Sequence, residues 1–238
     1  MTRWHETELK LGLPDAAAWE RVRDRIAPSR VVRQVNHFFD GPGRPLRSAR
    51  IGVRLRSSGG RILLTVKADA GASDSVVTRR IEFEEERPPE SLGEALDRGL
   101  DLRDAIARWR ARACAAPDAD PLLVDLLDRL GRATVDGPLR TFGSFENERT
   151  IGTLTLADAG GAFEVPIELD RTTLPGNRVD YEVEVEADPT SEDAPDLART
   201  HRALAAWLER ETGARGFARE SKLARFEAAL EAGETGLR

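Results

Sequence analysis

Charged residues that could do chemistry stand at alternate positions in ETELK, residues 6–10 of the chain. Side chains of a β-strand alternate between its two faces, so Glu6, Glu8 and Lys10 would share one face. Carboxylate oxygens are the ligands that hard divalent cations prefer, and a lysine ammonium binds phosphate oxygens. The stretch is therefore suited to a metal and an anion, although a strand whose charged face meets water shows the same alternation.

The same alternation recurs in four later stretches, each of which carries most of its charges on one face. Bases dominate in GVRLR and ILLTVK, whereas acids dominate in RRIEFEEE and DYEVEVE. The residues on these charged faces are Arg54, Arg56, Lys67, Arg80, Glu82, Glu84, Glu86, Glu182, Glu184 and Glu186. Several strands thus present charge to one side and mostly apolar residues to the other.

Two arrangements of such strands are compatible with this pattern. In an open sheet the charged faces meet water, and acids pair with bases across strands for about 0.2 to 1 kcal/mol each. In a closed barrel the charged face lines a wet interior that holds counter-ions, because unpaired buried charges are too costly in a dry core. The separation of acids from bases favours the barrel, and about eight strands suffice to close one. An acidic wall together with an Arg/Lys wall would bind a polyphosphate and its metal.

The periodicity of the rest of the chain predicts the elements that position these residues. Runs rich in β-branched residues predict antiparallel strands, and apolar residues three and four apart predict helices. The predicted strands are the opening stretch and residues 30–40, 49–57, 60–69, 76–86, 139–158, 161–171 and 178–188; the predicted helices are 14–27, several between 91 and 132, 196–212 and 219–233. The sequence thus predicts an α+β protein, mainly antiparallel β, with a helical insertion at about 91–132 packed outside the sheet.

Composition limits the class of protein further. The 238 residues suffice for one domain with a sizeable core, and a net charge of -6 argues against a nucleic-acid or membrane binder. The single cysteine, Cys114, rules out an intrachain disulfide, and no apolar run reaches the about 18 residues of a membrane helix, so we expect a cytoplasmic protein. The three histidines have no metal-ligand spacing, which disfavours zinc and favours Mg²⁺ or Mn²⁺.

The sequence resembles a known family at this point. ETELK matches the ExExK signature of the CYTH superfamily, the triphosphate tunnel metalloenzymes, and the match continues through NHFFD, VRLR, LTVKA, RRIEFEEE, FENERT, ELD, DYEVEVE and SKLARF in the family's order. GSFENERT and SKLARF look closest to the plant tripolyphosphatase branch. The resemblance implies one tunnel domain over residues 1–238: a closed, antiparallel, eight-stranded barrel with helices packed outside.

The resemblance also implies roles for individual residues. The residues implied to bind metal are Glu6, Glu8, Asp170, Glu182, Glu184 and Glu186, and those implied to bind the triphosphate are Lys10, Arg54, Arg56, Lys67, Arg149 and Lys222. Arg80 is a further triphosphate candidate, in the tunnel or at its rim, and Glu82 and Glu84 are supporting members. We predict Glu184, Glu186, Lys10 and Arg56 to be catalytic, with the two glutamates as metal ligands or as groups that position water.

These roles predict a metal-dependent hydrolysis of inorganic tripolyphosphate to pyrophosphate and phosphate, with Mg²⁺ or Mn²⁺. Such a reaction needs no protein nucleophile, because phosphoryl transfer depends mainly on positioning and on neutralising charge. A metal-bound water would be the attacking group. We expect a triphosphate as the partner, without nucleic acid or membrane, and a monomer or weak homodimer.

Three alternatives within the family use organic triphosphates: thiamine triphosphatase, nucleoside triphosphatase and class IV adenylyl cyclase. An organic triphosphate needs a platform for its ring, but only 5% of the residues are aromatic, and Trp4 is the one tryptophan beside a predicted tunnel strand. Mammalian thiamine triphosphatases carry a tryptophan at the position that corresponds to Gly52. A different kind of protein would bind polyphosphate without hydrolysing it. The row of Glu182, Glu184 and Glu186 is intact, which favours chemistry over binding alone.

Overall fold

The computed structural model describes residues 5–69, 77–115, 120–187, 195–213, 216–218 and 220–235. Within them, strands β1 to β8 span, in order, His5–Leu13, Ala27–Asp40, Ile51–Ser58, Arg61–Asp69, Val77–Arg87, Arg140–Asp158, Gly161–Leu174 and Arg178–Ala187. Helices α1 to α7 span, in order, Ala16–Arg23, Pro45–Ser48, Ser91–Arg98, Arg103–Cys114, Pro121–Ala133, Leu197–Thr212 and Lys222–Thr235. None of the helices in the described part of the chain is long and apolar enough to cross a membrane.

The eight strands form a closed antiparallel barrel. They are hydrogen-bonded in the order β1-β5-β4-β3-β2-β6-β7-β8, and the order closes on itself. This confirms the predicted α+β fold with an eight-stranded barrel. Contacts divide the described chain into two compact units: the first is built mainly from residues 35–69 and 79–144, and the second from 6–34, 77–78 and 145–235.

The first unit packs three helices of the predicted insertion on the apolar face of its strands. Val53, Leu55 and Leu64 alternate with charged or polar residues along β3 and β4, and they are buried in one hydrophobic cluster with residues of α3, α4 and α5. Trp109 of α4 stacks on Phe83 of β5, with ring centroids 5.0 Å apart. The insertion therefore covers the apolar side of this sheet and leaves its charged face opposite.

The second unit follows the same plan with other helices. Leu9 on β1 and Val183 on β8 are buried in a cluster with residues of α1 and α6. The last helix, α7, instead contacts a different part of the unit, where Phe226 meets Phe145 of β6 edge to face at 5.6 Å. Its basic residues contact carboxylates on the charged face of the sheet.

Most element positions agree with the prediction, and the differences have local causes. The predicted helix 14–27 is shorter, Ala16–Arg23; Asp15 caps it by accepting the backbone N–H of Ala18 at 2.8 Å, and β2 already begins at Ala27. GPGRP, residues 41–45, lies between two predicted strands, and its second proline, Pro45, begins the short helix α2. Trp4 and residues 188–194 lie outside the described residues.

Candidate active site

Strands β1, β7 and β8 bring their charged residues to one face of the second unit. In the register of these strands, Lys10 lies opposite Glu184, and Asp170 lies opposite Glu182. Directly opposed residues of antiparallel strands point to the same side of the sheet. The residues between them are apolar and pack on the other side against α1 and α6. Alternation along each strand is thus what gathers the charges.

Three carboxylates on this face form a candidate metal site. Asp170, Glu182 and Glu184 are buried, and each offers one oxygen atom within 4.8 Å of the other two. Mg²⁺ and Mn²⁺ prefer such hard oxygen ligands, so the donor set fits the predicted metals. Buried carboxylates also need compensating positive charge, and basic side chains supply it in this structure.

Lys222 of α7 places its ammonium among these three carboxylates. Its Nζ lies 2.7 Å from Asp170 Oδ2 and 2.9 Å from Glu184 Oε1, and it also contacts Glu182. Burial by itself lowers the pKa of Lys222, but the three carboxylates outweigh it and hold that pKa above its ordinary value. The raised pKa favours the charged form of this lysine at neutral pH.

Lys10 connects the first strand to the same cluster. Its Nζ lies 2.9 Å from Glu184 and 3.0 Å from Glu8. Burial alone lowers the pKa of Lys10, whereas Glu184 and Glu8 raise it above its ordinary value. The hydroxyl of Thr78 donates to Glu8 at 3.0 Å, which fixes the orientation of that carboxylate.

The planar guanidinium of Arg149, on β6, donates hydrogen bonds to carboxylates of the cluster. Its Nε and Nη2 donate to the two oxygens of Asp170, at 2.8 and 2.6 Å, and Nη2 also donates to Glu184 at 2.7 Å. Burial alone would raise the pKa of Asp170. Arg149 and Lys222 lower it by a larger amount, so the pKa falls to about 2. The pKa of Glu184 likewise lies well below its usual value because Lys10, Lys222 and Arg149 overcome the effect of burial. Both acids are therefore ionised at neutral pH.

Two residues of the cluster were missed by sequence reasoning. Glu168 accepts from Nη1 of Arg149 and stands two positions before Asp170 on the same face of β7, so the alternation of charges could have found it. Arg225 stands one helical turn after Lys222. It donates to Glu182 at 2.8 Å, and its Nε lies 3.2 Å from Asp180. Arg225 lies in SKLARF, one of the stretches that resemble the family, but its charge and spacing alone do not distinguish it from a surface arginine.

The remaining predicted metal ligands occupy different environments. Glu6 and Glu8 on β1 are buried, whereas Glu186, opposite Glu8 in the register, is exposed. The group of three carboxylates does not include any of these residues. Their roles in metal binding remain predictions.

The basic candidates of the first unit lie together on one face of β3 and β4. Arg56 pairs with Glu84 at 2.6 Å, and Lys67 with Glu82 at 3.2 Å. Arg54 lies on the same face, two residues before Arg56. The predicted supporting acids of β5 thus contact the predicted phosphate-binding bases. Arg80, at the other end of β5, is opposite Asp69 in the register and half-buried.

These features define a class of protein, a closed antiparallel barrel whose strands carry apolar residues on the helix-covered side and closely paired charges on the other. The chain belongs to the CYTH family: the CYTH domain model matches residues 5–218. No curated protein matches the sequence.

Solved structures share the fold at low sequence identity. A candidate adenylyl cyclase from Hippeastrum, described as having a dominant triphosphatase activity, is similar over 94% of this chain and 95% of its own, with 23% identity and a TM-score of 0.66. A candidate adenylate cyclase from Bacillus halodurans is similar over 94% of this chain and 99% of its own, with 17% identity and a TM-score of 0.55. At these identities the likeness establishes the fold.

Proposed function

We propose that the protein hydrolyses inorganic tripolyphosphate to pyrophosphate and phosphate with Mg²⁺ or Mn²⁺. One observation carries the proposal: on one face, the second unit gathers three buried carboxylates in close ion pairs with three bases, Lys10, Arg149 and Lys222. Such a cluster is costly to build for stability alone, because replacing buried ion pairs by apolar residues is often neutral or stabilising. A site for a charged ligand accounts for its presence.

The carboxylates are suited to hold the metal. Asp170, Glu182 and Glu184 would be its ligands, with Glu6, Glu8 and Glu186 as further candidates. A bound divalent ion would neutralise phosphate charge and lower the pKa of a coordinated water. The low pKa values of Asp170 and Glu184 keep both carboxylates ready to bind it at neutral pH.

The bases are suited to hold the phosphates. Lys10, Arg149 and Lys222 would contact oxygens of the triphosphate and stabilise the charge that develops as the terminal phosphoryl group is transferred. Arg149 offers a planar fork for two phosphate oxygens, whereas the two lysines act as point charges. We expect Arg54, Arg56 and Lys67, on the basic face of the first unit, to bind phosphate oxygens as well.

The name of the Hippeastrum protein supports the class of substrate, since it refers to triphosphatase activity in a chain of the same fold. The same names refer to adenylyl cyclases, so ATP belongs in every assay. Phosphate release identifies hydrolysis, and cyclic AMP with pyrophosphate identifies cyclisation.

The first experiment is to measure phosphate release from tripolyphosphate, ATP and thiamine triphosphate in Mg²⁺, in Mn²⁺ and in EDTA. We expect metal-dependent release that is fastest with tripolyphosphate. Glu8→Ala and Arg56→Ala should abolish turnover while the protein stays folded. Arg61→Ala is the matched control, because Arg61 is an exposed arginine on the neighbouring strand β4 that pairs with Glu86. Full activity in the Glu8 and Arg56 variants would contradict the proposal.

A further inference from the structure

An arginine of the first unit covers an aromatic ring near the basic strands. The guanidinium carbon of Arg44 lies 4.0 Å from the ring centroid of Phe142. Phe142 in turn lies beside Phe38 of β2, with ring centroids 6.1 Å apart. Phe38 is opposite Arg54 in the β2–β3 register, so it points to the same face as the predicted phosphate-binding arginines. Contacts therefore connect Arg44 to the basic face.

The loop that carries Arg44 is held in place by its backbone. Arg44 has a φ of 58°, a left-handed conformation that costs a residue other than glycine about 1 kcal/mol or more. The buried carboxylate of Asp40 accepts three backbone N–H groups of this loop, from Gly41 at 2.7 Å, Leu46 at 2.9 Å and Arg47 at 3.1 Å. Because these bonds fix the loop on both sides of Arg44, its side chain starts from a defined position.

The stretch of chain that contains Arg44 is rich in bases. From residue 41 to residue 68 the chain has six arginines, one lysine and no acid, although the whole chain carries a net charge of -6. Arg56, Arg61 and Lys67 of this stretch pair with glutamates of β5. An anionic ligand could take the place of those glutamates, whereas a neutral ring would gain nothing from the charge.

The ring of an organic triphosphate would stack on an aromatic face beside the phosphate site. Here Phe38 is 4% exposed, and the guanidinium of Arg44 lies over Phe142. An arginine stacked on a ring still directs the N–H groups at its edge outward, in a fork that matches phosphate oxygens. The guanidinium of Arg44 therefore covers the ring face on which a nucleobase would stack. In its place it offers hydrogen-bond donors for phosphate.

We propose that Arg44 determines substrate specificity: it occupies the face of Phe142 on which an organic group would stack, and it offers phosphate contacts in its place. This inference rests on the proposed function, because it names the residue that makes a triphosphate site favour an inorganic chain. It predicts that removing Arg44 weakens tripolyphosphate binding and improves the relative binding of ATP.

The test compares wild type with Arg44→Ala, Arg44→Lys and Arg47→Ala. Dissociation constants for tripolyphosphate and ATP are measured by calorimetry in EDTA, and kcat/KM for both is measured in Mg²⁺. Loss of a charge-assisted contact predicts about tenfold weaker tripolyphosphate binding in Arg44→Ala. The ratio of ATP affinity to tripolyphosphate affinity should therefore rise at least about tenfold. Arg44→Lys keeps the charge and should recover part of the tripolyphosphate affinity, and Arg47→Ala, from the same loop, should match wild type.

A double variant identifies the role of the ring. If ATP stacks on Phe142 once Arg44 is removed, then Arg44→Ala with Phe142→Leu should lose the gain in ATP affinity. An unchanged affinity ratio in Arg44→Ala, or the same change in Arg47→Ala, overturns the inference. If wild type hydrolyses no triphosphate, the proposed function fails, and the binding ratios still decide the role of Arg44.

Discussion

The ammonium of Lys222, on the last helix, lies 2.7 Å from Oδ2 of Asp170, on β7. The same nitrogen contacts Glu184 and Glu182, so it occupies the middle of the carboxylate group that is the candidate metal site. A cation of the protein and a divalent metal would compete for the same oxygens. Metal binding is therefore expected to release Lys222 for contact with phosphate.

Replacing Lys222 by alanine should strengthen metal binding in the absence of a triphosphate. A unit positive charge about 4 Å from the metal position opposes the metal by several kcal/mol at an effective dielectric constant of about 20, so the affinity for Mn²⁺ should rise at least about tenfold. The melting temperature in EDTA should fall, because three buried carboxylates lose a partner. Calorimetry with Mn²⁺ and thermal melts with and without metal measure both effects. Glu231→Gln, exposed on the same helix, is the control; unchanged or weaker Mn²⁺ binding in Lys222→Ala would contradict the competition.

Arg225 should act as a positioning residue for Glu182. It is 4% exposed and holds one oxygen of Glu182 at 2.8 Å. Loss of a residue that orients a metal ligand typically costs about 10- to 100-fold in metal affinity. We expect Arg225→Gln to raise the Mg²⁺ concentration for half-maximal activity by about tenfold or more, with a smaller change in KM for tripolyphosphate.

The conservative variant separates positioning from general stability. Arg225→Lys keeps the charge and should restore part of the metal affinity. If both variants lower kcat while the Mg²⁺ dependence stays that of wild type, Arg225 supports the fold only.

The charged faces could be predicted from the sequence because strand geometry is local. Alternation fixes which side of its strand Glu184 lies on, whatever the rest of the chain does. The separation of signs then favoured a closed barrel, which the strand order confirms. The positions of Lys10 and Arg149 beside the same acids also needed the resemblance, since no local rule sets which strands become neighbours.

Contacts made by helices and loops could not be predicted in the same way. Arg225 reaches Glu182 across 43 positions of sequence, and the side of α7 that faces the sheet depends on how that helix packs. Arg44 is placed by a left-handed backbone and by the carboxylate of Asp40, neither of which a charge pattern reveals. The environment of Glu186 also had to come from the structure, because periodicity gives the face of a residue and not its burial.

Gly152 should be far less tolerant of alanine than Gly131. A Cβ atom at Gly152 would lie 2.4 Å from Cγ2 of Ile26 and 2.5 Å from the backbone oxygen of Ala27, so the backbone would have to move. We expect Gly152→Ala to lower the free energy of unfolding by about 1 to 3 kcal/mol, as overpacking typically does. At Gly131, inside α5, a Cβ meets nothing within 4 Å, and Gly131→Ala should stabilise by up to about 1 kcal/mol. Urea unfolding of both variants measures the difference. Equal stability of the two variants would show that the backbone around Gly152 shifts to make room for the added methyl group.

The ion pair of Asp158 with Arg199 should give the stability a defined acid dependence. Arg199 donates to both carboxylate oxygens, at 2.6 and 3.0 Å, and the N–H of Gly160 donates at 2.8 Å. These bonds, with that of Arg199 the largest cause, lower the pKa of Asp158 from 3.8 to about 2. A folded pKa below the unfolded one means that the carboxylate stabilises the fold above about pH 4 and loses that effect as the pH falls towards 2.

Asp158→Asn should therefore have a lower urea midpoint than wild type at pH 7 and at pH 5, by a similar amount at both. The gap should narrow as the pH falls below about 4, because the Asp158 carboxyl then takes up a proton in the unfolded chain before it does so in the folded protein. Asp136→Asn, on an exposed turn, controls for the change in net charge. High salt at pH 7 should also narrow the gap, since the pair is exposed and screened by ions. A gap that stays constant down to pH 3 would mean that Asp158 acts through its shape and not through its charge.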